Sequence, residues 1–113
     1  MEIRGHQYKA AQGTGLASDT TPVKIVDEVA GKTLYINYIL VTNSDYSGGT
    51  TIKVTDGSGG TAIYFEEVGT GGQRAISINF GEYGYALTEG NALYAETSTA
   101  AQAVTVTALG YYK

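Results

Sequence analysis

The stretch TTIKVTDGSGGTAIYF, Thr50 to Phe65, holds two runs of alternating apolar and polar residues joined by Asp56-Gly57-Ser58-Gly59-Gly60. Successive side chains of a strand point to opposite faces of the pleat, so Ile52 and Val54 fall on one face and Thr51, Lys53 and Thr55 on the other. Two such runs around a glycine-rich turn predict a β-hairpin. The loop itself holds no reactive constellation, which points away from catalysis and towards a structural or binding role.

The same grammar recurs on either side. Upstream, Pro22 presets an extended start, and Val23 and Ile25 alternate with Lys24. Asp27-Glu28 and Ala30-Gly31-Lys32 form a turn, and Thr33 to Asn43 is the longest strand candidate. On strict alternation Leu34, Ile36, Tyr38 and Leu40 share one face, with Tyr35, Asn37, Ile39 and Val41 on the other. The second half of this strand is then apolar on both sides, as in a central strand covered on both faces or one set against another chain. Downstream, Glu66 to Gly72 is a loop, Gln73 to Phe80 alternates again, and a short segment surrounds Tyr85 to Leu87. Thr88-Glu89-Gly90-Asn91 is a turn, and Ala92 to Thr97 and Ala103 to about Tyr112 complete the series.

About eight short strands, no helical period and turn clusters at regular spacing predict an all-β antiparallel β-sandwich, a jelly roll, with an immunoglobulin-like strand order as the alternative. The expected core is Val23, Ile25, Leu34, Ile36, Ile52, Val54, Ile63, Phe65, Ile76, Ile78, Phe80, Leu93, Val104 and Val106. Residues 1–21 are polar and aperiodic, with Gly5, Gly13 and Gly15 scattered through them. They read as an extended N-terminal arm, either frayed or ordered on a partner. Residues 22–113 are the β-sandwich domain.

Composition narrows the function. The 113 residues suit one core. The hydrophobic fraction of 42% suffices to build it, while the charged fraction is only 16%. A formal net charge of -4 gives no positive field for a phosphate backbone, which argues against nucleic acid. The absence of Cys removes disulfide, thiolate and zinc-thiolate chemistry. No apolar run suits a signal peptide or a membrane helix, so the expectation is a chain made in the cytoplasm with no membrane partner.

Catalytic chemistry finds few candidates. His6 is the one histidine and lies in the arm, which leaves a general base or a Ser-His-Asp arrangement without support. Asp27/Glu28 and Glu66/Glu67 are adjacent carboxylates that point to opposite faces of a strand and read as solvated charges rather than a glycosidase pair. The Asp56 loop lacks the further carboxylates of a calcium loop. Gly69-Thr70-Gly71-Gly72 lacks the Gly-Lys-Ser/Thr of a phosphate cradle and reads as a turn. No catalytic residue, metal or cofactor is expected.

Ten tyrosines without a tryptophan are the unusual residue class. Their amphipathic rings suit half-buried sheet faces and subunit contacts, and they can also stack on sugars. The candidate interface residues are Tyr8, Tyr35, Tyr38, Ile39, Val41, Tyr111 and Tyr112.

Several phrases, taken in order, resemble the small jelly-roll domains of tailed-bacteriophage virion proteins. Ala30-Gly31-Lys32 leads into the long strand, Val41-Thr42-Asn43-Ser44 ends it, and Asp56-Gly57-Ser58-Gly59-Gly60-Thr61 turns the hairpin. Leu87-Thr88-Glu89-Gly90-Asn91-Ala92-Leu93 and Ala103-Val104-Thr105-Val106-Thr107-Ala108-Leu109-Gly110-Tyr111 follow. These domains serve as capsid decoration (cement) proteins, head fibres or tail-tip domains. The resemblance implies a non-enzymatic homotrimer on the capsid surface, with the major capsid protein or another virion protein as partner. Its alternative is a receptor- or carbohydrate-binding domain of a tail or fibre tip, built on exposed loop tyrosines such as Tyr83 and Tyr85. The family attaches in several ways, so the resemblance assigns no attachment residue.

Overall fold

The hairpin forms where alternation predicts it. In the computed structural model, which describes residues 8–43, 50–68 (65–68 as backbone only), 75–98 and 104–113, β4 (Thr50–Asp56) pairs antiparallel with β5 (Thr61–Val68). The Gly60 N–H donates to the Gly57 carbonyl across the connecting loop at 3.1 Å. Ile52 and Val54 are fully buried, as expected. Thr55 departs from the pattern: the register slips between Val54 and Thr55, Thr55 is also fully buried, and its hydroxyl donates to the Gly57 carbonyl at 2.7 Å.

Seven further strands complete the described chain: β1 (Lys9–Ala17), β2 (Val23–Val26), β3 (Leu34–Asn43), β6 (Ala75–Asn79), β7 (Tyr85–Ala86), β8 (Leu93–Thr97) and β9 (Val104–Tyr112). They build two packed antiparallel sheets, one in the order β1-β9-β3-β6 with β7 also on β3, the other β2-β8-β4-β5. Apart from the two-residue β7, successive strands alternate between the sheets except where β4 and β5 form their hairpin. That order is the double Greek key of a jelly roll, which decides between the two strand orders that the sequence leaves open. The described residues contain no helix.

A bulge in β3 corrects the face assignment of the longest strand. Ile36 pairs with Gly110 of β9 but Tyr38 pairs with Leu109, so Asn37 is an extra residue. An inserted residue moves every later side chain to the other face. Leu34 and Ile36 point inward before the bulge, and Ile39, Val41 and Asn43 after it, all at most 1% exposed. Tyr38 and Leu40 therefore point outward. This half of the strand thus remains apolar on both sides, with Ile39 and Val41 in the core and Tyr38 and Leu40 on the outer face.

The arm is also redrawn. Residues 9–17 pair with β9 over nine successive positions, Lys9 opposite Tyr112 through Ala17 opposite Val104. The sandwich therefore starts near Lys9 rather than Pro22, and residues 1–7, His6 among them, lie outside the described residues. The inward positions of β1 are Ala11, Gly13, Gly15 and Ala17, too small to register as hydrophobic alternation. Their size is required by β2: a Cβ on Gly13 would overlap the Ile25 carbonyl oxygen, and one on Gly15 would lie 2.7 Å from Ile25 Cδ1.

Between the sheets lies one core that includes Ile25, Leu34, Ile36, Ile52, Val54, Leu93, Val104 and Val106, as expected. Val23, Ile63, Ile76, Ile78 and Phe80 pack at its margin, and the Phe65 side chain lies outside the described residues. Ala11, Ala17, Val26, Ile39, Val41, Leu87, Ala95, Ala108 and Tyr112 join it without having been expected. Fully burying an aliphatic side chain of this kind stabilises by about 1.5–3 kcal/mol.

Candidate functional site

The register of the β1-β9-β3-β6 sheet fixes what its outer face presents. Four rows cross it: Ala10-Tyr111-Tyr35-Ala86, Gln12-Leu109-Tyr38-Asn79, Thr14-Thr107-Leu40-Ser77 and Leu16-Thr105-Thr42-Ala75. None of these side chains is charged. Strands about 4.8 Å apart, rising about 3.4 Å per residue, make the face roughly 19 Å by 24 Å. Leu16 and Leu109 are 52% and 43% exposed on it, and Thr14 and Thr107 share a 3.0 Å hydroxyl hydrogen bond between strands.

The outer face of the other sheet is charged. Lys53 stands opposite Glu96 on the β4–β8 ladder and Lys24 opposite Tyr94 on β2–β8. The Lys24 ammonium donates to Glu28 Oε1 at 2.8 Å and lies 3.9 Å from Asp27 Oδ1. That hydrogen bond holds the Glu28 carboxyl below its ordinary value and the Lys24 amine above its own.

At one end of the uncharged face three tyrosines step across the sheet. Tyr35 and Tyr111 stack with centroids 5.0 Å apart and planes 3° from parallel, and Tyr8 covers the other side of Tyr111 at 5.5 Å. The Lys113 ammonium lies 5.7 Å from the Tyr8 centroid. Above them hangs the segment 81–84, fastened by sheet side chains. Asn37, the bulged residue, donates through Nδ2 to the carbonyls of Gly81 (2.9 Å) and Glu82 (3.0 Å), and the Tyr111 hydroxyl donates to the Tyr83 carbonyl at 2.8 Å. Gly84 adopts φ 76°, and a Cβ there would come within 3.0 Å of the Ile36 carbonyl oxygen, so glycine is needed for the loop to close back onto β3. Burial, reinforced by Tyr35, pushes the Tyr111 hydroxyl above its ordinary value. Tyr8, Glu82, Tyr83, Tyr111 and Lys113 thus enclose an open groove of about 560 Å³.

Of the residues expected at an interface, the structure brings Tyr8, Tyr35, Tyr38 and Tyr111 onto or beside one face. Ile39 and Val41 are fully buried in the chain's own core, and Tyr112 is 8% exposed with its hydroxyl donating to the Asp27 carbonyl at 2.7 Å. These three are occupied within the subunit. Sequence reasoning missed Leu16, Leu40, Leu109, Asn37, Glu82 and Lys113. The odd positions of the last strand, Thr105, Thr107, Leu109 and Tyr111, were a legible uncharged row. The others depend on the bulge and on pairing across the sheet.

Among the described residues no three His, Cys, Asp or Glu side chains gather where a metal ion could be held. Asp56, weighed as a calcium ligand, has a different task. One carboxylate oxygen accepts from the Thr88 N–H and hydroxyl at 2.9 and 2.8 Å, and the other from Asn91 Nδ2 at 2.9 Å. It fastens the hairpin turn to the Thr88–Asn91 turn. Asp27 and Glu28 pair with Lys24, while the side chains of Glu66 and Glu67 and the residues Gly69 to Gly72 lie outside the described residues.

No family model and no curated protein matches the sequence. Among solved structures, a chain of the cyanophage Pam1 capsid asymmetric unit is similar in fold, with a TM-score of 0.54 and 16% sequence identity over 92% of this chain and 84% of that one. At that identity the likeness is one of fold.

Proposed function

We propose that this chain is a non-enzymatic virion structural protein. It acts as a capsid decoration (cement) protein that binds the assembled phage head as a homotrimer and stabilises it by bridging major capsid protein subunits. Its place is the capsid surface, after synthesis in the host cytoplasm. The observation that carries this reading is the uncharged outer face of the β1-β9-β3-β6 sheet. Buried interface centres are depleted in charge, because an unpaired ion there loses its hydration without compensation. A jelly roll shared with a chain of a phage capsid supports the same reading. At roughly 450 Å² from the strand spacings, the face is about half of the ~800 Å² that each partner contributes to a standard interface. One copy alone would hold weakly, whereas a trimer engages its shell several times at once and gains by effective concentration.

Electron microscopy of purified heads with and without the chain tests the reading. The expected result is density for the chain at a defined position on the shell, and heads that withstand heating better when it is present. Heads that neither acquire such density nor lose resistance without the chain would sink it. Native mass measurement addresses the trimer separately.

A further inference from the structure

The groove beside Tyr83 has features that shell binding does not use. It lies at the end of the uncharged face, and its rim is a loop built for rigidity. The carbonyls of three successive residues, Gly81, Glu82 and Tyr83, are each held by a side chain from the sheet, two by Asn37 and one by Tyr111. The Phe80 N–H donates to the Asn37 carbonyl at 2.8 Å, so the loop is anchored at its root as well. Yet the Tyr83 ring on this fixed loop is 79% exposed. An aromatic side chain left in water on an anchored backbone forgoes burial, and the same groove is lined by Tyr8 and Tyr111.

The lining selects a class of ligand. Its volume of about 560 Å³ lies within the range of small-molecule sites, roughly 300–1,000 Å³. With Tyr111 stacked between Tyr35 and Tyr8, the exposed Tyr83 ring offers the apolar surface for the C–H face of a sugar ring. The Tyr8 and Tyr83 hydroxyls, the Glu82 carboxylate and the Lys113 ammonium supply donors and acceptors at the margin. Among the described lining residues Glu82 and Lys113 carry opposite charges that offset one another. A phosphorylated ligand would want a cationic cluster, and among the described residues the lining holds a single lysine. A ring with one apolar face and hydroxyls around its edge fits what remains. The geometry points to a saccharide site: the groove binds an uncharged pyranose, stacked on Tyr83 and hydrogen-bonded at the Glu82 and Lys113 margins.

This site borders the proposed shell-binding face and shares its Ala10-Tyr111 row, but it is centred on the loop and leaves Leu16, Leu40 and Leu109 free. The test is NMR titration of the full chain with methyl α-glucoside, methyl β-galactoside and chitotriose, and with inorganic phosphate for comparison. At least one saccharide is expected to shift the ring signals of Tyr8, Tyr83 and Tyr111 in a saturable way. Tyr83→Ala is expected to weaken that binding about tenfold or more, a loss of about 1.4 kcal/mol, and Tyr111→Phe, which keeps the stack but releases the Tyr83 carbonyl, to weaken it less. Circular dichroism of both variants confirms that the fold is kept. Binding that survives Tyr83→Ala, shifts confined to other parts of the sheet, a response to phosphate alone, or no saccharide response would each overturn the proposal. None of these outcomes bears on head binding, which is read by microscopy.

Discussion

The two outer faces of the sandwich come from the same kind of strand and end in opposite chemistry. One carries four uncharged rows with Leu16 and Leu109 in the open; the other sets Lys53 opposite Glu96 and engages Lys24 with Glu28. Both faces are compatible with the same core, so core packing does not explain the difference. A charged face stays solvated and discourages sheet-to-sheet contact, whereas an uncharged face can be covered at small desolvation cost. The asymmetry teaches that one side of the molecule is suited to meet a partner and the other to meet water.

The largest expected effect comes from placing a charge on the uncharged face. Leu109→Lys should lower head occupancy by about a hundredfold or more, because the ammonium would be buried without a partner. Lys53→Glu on the other face should change it by less than about threefold. Quantitative co-sedimentation with heads measures both, and equal losses would dissolve the distinction between the faces.

A second experiment removes the strand that completes the uncharged face. Gly13→Val forces side-chain atoms into the Ile25 backbone and should cost about 2–3 kcal/mol and roughly 10 °C in thermal midpoint. Thr14→Ala, one residue further along and pointing outward, should cost only about 0.5 kcal/mol. A calorimetric scan in which the two variants melt alike would show that the β1–β2 contact is looser than the geometry indicates.

The turns that join the faces should be less sensitive. Asp56→Ala removes the acceptor of three hydrogen bonds from Thr88 and Asn91, and an expected loss of about 1–2 kcal/mol can be read by urea unfolding. Ser58→Ala in the same exposed loop should leave the midpoint unchanged.

The smallest effect is electrostatic and belongs to the charged face. Glu28 has a lowered carboxyl pKa in the folded chain, so its contribution is present above the ordinary value of 4.5 and is lost as the pH falls through the folded value. Lys24 is raised, so its contribution is complete below 10.5 and is lost as the pH rises through its folded value. The pair should therefore help only between those limits. Carboxyl NMR should find Glu28 titrating below 4.5, and Lys24→Ala should raise it towards that value. A Glu28 unaffected by Lys24→Ala would mean that the ion pair is not held in solution.

Particular residues show how far the sequence was legible. Ile52, Val54 and Val104 sit in stretches that pair in step with their partners, so period two placed them correctly, whereas Ile25 lies at the register shift of β2, where Val26 is buried beside it. Ile39 and Val41 were read as facing the opposite way from Leu34, and the alternation failed because Asn37 is an extra residue, revealed only by the pairing of its neighbours Ile36 and Tyr38 with the consecutive residues Gly110 and Leu109. The segment 9–17 was read as an arm because its inward residues are Ala and Gly, which carry almost no hydrophobic signal. Tyr8, Tyr35 and Tyr111 were recognised as a class suited to contacts, but their meeting in one stack required three strands distant in sequence to pair in register.

The sequence by itself determined the class of the protein. Alternating apolar residues and glycine turns dictate an all-β domain, because those are local properties of side-chain period and type. Only the tertiary structure decided the jelly-roll order, the inclusion of β1, the reversal of β3 at Asn37 and the concentration of charge on one side. Each depends on which strand lies beside which, and pairing joins residues up to about a hundred positions apart whose register no local pattern encodes.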